Sequence, residues 1–171
     1  MKSRAKNDKR EVLICAQDEG RFGLINNIQK CWAPLRDRPV IQKRIKREYV
    51  YGYAVVFPKL GEIEALILPG VNIDMMNLFL EHISIEYKDY FLIMQVDRAG
   101  WHKSKKIKIP ENIRLIEQPA YSPETNPVEH VWDDIREKEF SNNIFDSIDK
   151  VMDKLCAGFM RLVKNSDYLK S

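Results

Sequence analysis

Hydrophobic periodicity changes partway along this 171-residue chain, and the order of the change limits the folds open to it. Residues 12–17 (VLICAQ), 49–57 (YVYGYAVVF) and 62–68 (EIEALIL) are short apolar runs, closed by Asp18-Glu19-Gly20, Pro58 and Pro69-Gly70 in turn. Such runs read as strands. Residues 72–87 switch to helical spacing, with Met75, Leu78, Phe79 and His82 in phase and Asn72 or Asp74 to cap the start. Residues 90–96 (YFLIMQV) return to a continuous apolar strand ending at Asp97, and 113–116 (IRLI) form another before Gln118-Pro119. Two helices follow, about 127–139 and 146–163, with stripes Val128, Val131, Trp132, Ile135 and Ile148, Val151, Leu155, Phe159. Within 20–48, Trp32, Val40 and Ile41 suggest that part of a Gly-, Asn- and Pro-containing stretch is a hairpin. Three successive strands followed by alternating helices and strands imply an α/β fold, a mixed sheet with helices packed on it.

One domain suits this length, and residues 1–171 are expected to form a single unit. Apolar residues at 44% with charged residues at 31% mark a globular chain rather than a disordered one. No apolar run approaches the ~20 residues that span a bilayer, and no signal peptide is evident. A cytoplasmic protein without a membrane partner is expected. Cys15, Cys31 and Cys156 are odd in number and lack C-x-x-C spacing, so reduced, mostly packed thiols are expected. Residues 1–48 hold 13 Lys or Arg against 6 acids, a surplus of +7 that leaves −4 for the remainder of a chain with net charge +3. A basic first quarter suits either a polyanion or a solvated surface.

Three acids stand out by position. Asp18 and Asp97 end the first and fourth apolar strands. Neighbouring strands run about 5 Å apart, so two such carboxylates repel unless a cation lies between them. Hard divalent ions with oxygen ligands, Mg²⁺ or Mn²⁺, meet that demand. Polar loops also place acids at strand ends without any metal. Glu129 follows Asn126-Pro127-Val128, which reads as an N-cap and a proline at the first helical position. Glu129 then suits a capping box, and it also stands where the first turn of a docked helix can reach the strand ends.

Cationic and ring-bearing residues surround these acids. Arg98 follows Asp97, and Lys103, Lys105, Lys106 and Lys108 come shortly after, a run suited to a phosphate backbone or to a solvated face. His102 and His130 could meet a phosphate, ligate a metal or pack. Tyr121 could touch a nucleotide; Trp101 and Trp132 read as packing residues.

Three segments carry a family resemblance: 17–23 (QDEGRFG), 96–103 (VDRAGWHK) and 118–132 (QPAYSPETNPVEHVW). Together they resemble the DDE catalytic domain of bacterial insertion-sequence transposases of the mariner superfamily, insertion-sequence-630 type. The third is the most specific. Order and spacing add to it, with 78 residues between Asp18 and Asp97 and 31 between Asp97 and Glu129. Two positions depart from the pattern: Arg98 stands where Asn or Gly is usual, and Ala120 where a second proline is common.

The resemblance implies a ribonuclease H-like fold and a triad of Asp18, Asp97 and Glu129 binding two divalent cations, Mg²⁺ or Mn²⁺. It implies cleavage and strand transfer of DNA, both transposon ends and target, by a dimer. Family members usually begin with helix-turn-helix modules, for which the 17 residues before Asp18 are too few. The expectation is a catalytic part alone, with DNA reading supplied by a separate helix-turn-helix polypeptide or by full-length transposase. Weak, salt-sensitive DNA binding follows. Two alternatives remain at this point: a non-catalytic or inactive fragment that binds DNA or a partner, and a ribonuclease H-like nuclease acting on another nucleic acid.

Overall fold

The computed structural model describes residues 8–25, 32, 34–36, 40, 46–97, 106–118 and 126–169. Five strands form one sheet: β1 (Glu11–Gly23), β2 (Tyr49–Phe57), β3 (Glu62–Leu68), β4 (Tyr90–Val96) and β5 (Ile113–Glu117), in the order β3-β2-β1-β4-β5. The β1–β2 and β2–β3 pairs are antiparallel, whereas β1–β4 and β4–β5 are parallel. Four helices flank it: α1 (Ile73–Glu86), α2 (Pro127–Ile135), α3 (Ile148–Val163) and the short α4 (Ser166–Leu169). This is the mixed, ribonuclease H-like sheet that the periodicity and the resemblance lead one to expect.

Strand alternation divides the core in two. From β2, Tyr53, Val55 and Phe57 face α1 together with Leu13, Cys15, Leu92 and Met94. Ala54 and Val56 point the other way, into a cluster with Val131, Trp132, Ile135, Leu155 and Phe159 from α2 and α3. A strand buried on both faces has to read as an unbroken apolar run, as β2 does. The expected stripes of α2 and α3 lie in this second cluster, Ile148 at its margin.

Several boundaries differ from expectation. β1 runs on to Gly23 instead of stopping at Asp18, because its ladder with β2 continues from Asp18 opposite Ala54 to Gly23 opposite Tyr49. The Asp-Glu-Gly turn signal is overridden by that pairing. α1 buries Met76, Phe79, Leu80 and Ile83, while Leu78 stays 46% exposed. Of the expected face Met75, Leu78, Phe79 and His82, Phe79 is fully buried, Met75 and His82 are half-buried and Leu78 is turned out: apolar residues surround this helix, and the sheet selects among them. Its N-cap is Asn72, whose side chain accepts from the Met75 N–H at 2.9 Å. α2 gives way at Arg136–Phe140 to one π-helical turn instead of continuing as α-helix to 139. Ser147 caps α3, which starts at Ile148 rather than 146.

Trp32 and Val40 are exposed and stand in no strand; the rest of the stretch expected to hold a hairpin, Ile41 included, lies largely outside the described residues. Cys15 is buried, whereas Cys156 is exposed rather than packed; Cys31 is outside the described set. Among the described residues no helix is long and apolar enough to cross a membrane.

Candidate active site

Sheet register brings the first two acids together. The last parallel pair between β1 and β4 is Ala16 opposite Gln95. Two residues further on stand Asp18, on the arm that β1 extends along β2, and Asp97, just past the end of β4. Glu129 comes from the first turn of α2, whose Val128, Val131 and Trp132 are at most 1% exposed and seat the helix on the sheet. The cap is made by Asn126, which accepts from the Val128 N–H at 3.1 Å through its side chain and from the Glu129 N–H at 3.1 Å through its carbonyl.

Electrostatics records this proximity. Burial pushes the Asp18 carboxyl up to about 6, and the negative charges of Glu129 and Asp97 push the same way. The Trp132 indole N–H, donating to Asp18 Oδ2 at 3.0 Å, and the Glu19 backbone N–H pull it back. Glu19 points to the opposite face of the sheet, accepting from Gln17 Nε2 at 2.9 Å. Burial raises it to about 7, again with Asp18 and Asp97 contributing. Burial with like charges nearby thus raises the proton affinity of Asp18 and Glu19, a penalty that a hard cation would relieve.

Oxygen donors of this kind suit a hard divalent ion. The fit is one of chemistry and neighbourhood: among the described residues no three Asp, Glu, His or Cys side chains already form a closed metal-gripping cluster.

The remaining candidates are distributed differently. Lys106 is exposed, and its carbonyl accepts from the Asn77 side chain of α1 at 3.4 Å. His130 is exposed and borders a cavity of about 590 Å³ shared with Asp133, Lys138 and Tyr168, whose lining includes none of the three carboxylates. Arg98, His102, Lys103, Lys105 and Tyr121, like Trp101, lie outside the described residues. Two residues near the acids were not singled out by sequence reasoning. Trp132 was read as packing alone, although it falls three residues after Glu129 in the most specific segment. Glu19 was passed over because it adjoins Asp18, and adjacent strand residues point to opposite faces.

Comparison with known proteins identifies the family. Residues 13–152 match the DDE superfamily endonuclease family, and the chain belongs to it. A protein of Sinorhizobium fredii (strain NBRC 101917 / NGR234), y4pE/y4sA, is 36% identical over 116 residues, covering 67% of this chain and 86% of that one. Among solved structures, the mariner Mos1 transposase paired-end complex with Mn has a TM-score of 0.66 at 16% identity, covering 92% of this chain and 52% of that one. The same complex with Mg has a TM-score of 0.66 at 17% identity, covering 92% and 50%. At such identities the likeness is one of fold, and this chain spans about half the length of those it matches. The insertion-sequence-630 type suggested by the sequence is consistent with both findings.

Proposed function

We propose that this chain is the catalytic part of an insertion-sequence transposase that cuts and joins DNA strands, with Asp18, Asp97 and Glu129 as its metal-binding carboxylates. The observation that supports the proposal is the register that sets Asp18 and Asp97 two residues past the last β1–β4 pair, with Asp18 desolvated and raised further by the like charges of Glu129 and Asp97. Two bound divalent cations, Mg²⁺ or Mn²⁺, would supply nucleophile activation and stabilisation of the leaving oxygen in an in-line displacement. The chain's own part is placement. β1 carries Asp18, the end of β4 leads to Asp97, and the first turn of α2 would bring Glu129 toward them. The hydrophobic seat of α2 would hold Glu129 in place, which is how positioning contributes to phosphoryl transfer.

DNA is the substrate in this reading. The Mos1 structures include a complex with a transposon end and a strand transfer complex, which supports the same class of substrate here. Lys103, Lys105 and Lys106, with Arg98, His102, Tyr121 and His130, are the residues proposed to touch it, and two copies would hold two ends.

Nicking of supercoiled plasmid tests the proposal. The native chain should nick in Mg²⁺ or Mn²⁺, and Asp97→Asn should lose the activity while keeping its far-ultraviolet circular dichroism. Nicking by Asp97→Asn at the native rate would overturn the triad. Metal binding without nicking by the native chain would favour the reading of a non-catalytic partner protein.

A further inference from the structure

Trp132 is more than a core residue. Its ring is 1% exposed, edge-on to Phe22 at 5.8 Å and to Phe159 at 6.0 Å between centroids. A buried indole N–H is costly unless it finds an acceptor. The acceptor here is a carboxylate, Asp18 Oδ2, at 3.0 Å and 114 residues away in sequence.

The sheet is shaped to admit this ring. Gly20 and Gly52 stand opposite one another in the β1–β2 ladder, one step along the same face from Asp18 and Ala54. A Cβ at Gly20 would sit 2.8 Å from Trp132 Cδ2, and one at Gly52 would sit 3.3 Å from Trp132 Cη2. Two facing glycines thus leave a hollow where side chains would otherwise stand, and the indole fills it with its N–H aimed at Asp18. Glycine is the residue that permits such close approach. Packing alone would be met by a smaller ring on an ordinary sheet surface; the hollow and the N–H together fix where the ring stands and which way it faces.

An ionised carboxylate offers about four lone-pair sites. The Trp132 N–H takes one and the Glu19 backbone N–H takes another. The carboxylate plane is then set, and the sites left over are those available to a cation. We propose that Trp132 is a positioning residue: its indole N–H orients the Asp18 carboxylate for divalent-metal binding, through a seat made by Gly20 and Gly52. This rests on the reading of Asp18 as a metal ligand. Hydrogen-bond donors behind metal-binding groups commonly change metal affinity by about 10- to 100-fold.

The test is Mn²⁺ affinity of the intact chain without DNA, read from the electron paramagnetic resonance signal of free Mn²⁺. Three variants are compared with the parent: Trp132→Phe, Asp18→Asn, and a chain with benzothienylalanine at 132. The last keeps the shape of the bicyclic ring but replaces the N–H with sulfur, so it serves where Trp132→Phe loses its fold. The expected result is a loss of about tenfold in affinity for both Trp132 variants, with circular dichroism of the benzothienylalanine chain unchanged, and a larger loss for Asp18→Asn. Parental affinity in the benzothienylalanine chain, with affinity lost in Asp18→Asn, would overturn the positioning role and leave the metal reading standing. Parental affinity in Asp18→Asn would overturn the metal reading and the positioning role with it.

Discussion

Asp18 carries an electrostatic cost in the folded chain. Its side chain is partly buried, and its carboxyl is raised from 3.8 to about 6 by burial, then by Glu129 and Asp97. A folded-state value above the unfolded one means that the folded chain holds the proton more tightly. Stability from this group is therefore full below about pH 4 and falls as pH rises to about 6. The rise corresponds to about 3 kcal/mol, which partial exposure reduces to about 1–2 kcal/mol. In metal-free buffer at pH 7.5, Asp18→Asn should accordingly be more stable than the parent by about 1–2 kcal/mol. The Asn carbonyl can still accept from Trp132. The gain should vanish near pH 3.5, where the parent carboxyl is protonated in both states. Urea unfolding at the two pH values checks this, and a destabilised variant at pH 7.5 would show that the charge is compensated by a partner. The sequence offered Asp18, Asp97 and Glu129 through motif wording. It offered nothing of the Trp132 hydrogen bond, because a contact across 114 residues has no local periodicity.

Elements were readable where one face decided their burial. α3 shows its stripe plainly, whereas α1, with apolar residues on several sides, showed its buried face only in part, Phe79 inside and Leu78 out. The π-helical turn after α2 was not readable, because its cause lies in tertiary pairing. Arg136–Phe140 carries Glu139 toward α3, where it bonds Arg161 at 3.2 Å and pairs with Lys154 at 2.9 Å. One turn earlier, Asp134 is 7% exposed and pairs with Lys138 and, at 2.6 Å, with Arg161. Burial pushes Asp134 up, but Lys138 and Arg161 outweigh it and hold it below its ordinary value; Lys154 and Arg161 do the same for Glu139. Carboxyls lowered in the folded state contribute stability that is present above their ordinary values, 3.8 and 4.5, and lost as pH falls below them. Arg161→Ala leaves Asp134 buried with one cation fewer and should cost about 1–3 kcal/mol at pH 7. The difference from the parent should shrink toward pH 3, as both carboxyls protonate. An unchanged urea midpoint at pH 7 would mean that Lys138 and Lys154 suffice to hold α2 against α3.

At the scale of the whole molecule the charge is divided, and that division bears on how DNA would be held. The surplus of +7 in residues 1–48, which include Asp18, stands against −4 in the rest, which include Asp97 and Glu129. A polyanion approaching those acids meets repulsion unless cations flank them. Lys103, Lys105, Lys106 and Lys108 follow Asp97 in sequence, and Lys106 and Lys108 are tied by their backbones to the Asn77 side chain of α1. That tie places the backbone of Lys106 and Lys108 beside α1. Binding dominated by phosphate contacts weakens with salt along a log–log slope of about −0.9 per phosphate neutralised. Changing Lys105 and Lys106 together to Ala should therefore weaken binding to duplex DNA of any sequence and reduce the magnitude of that slope by about 2. Fluorescence anisotropy over a salt series measures both quantities on one labelled duplex. A slope identical to the parent's would assign the two lysines to ordinary solvated surface and leave the basic first quarter of the chain as the source of attraction.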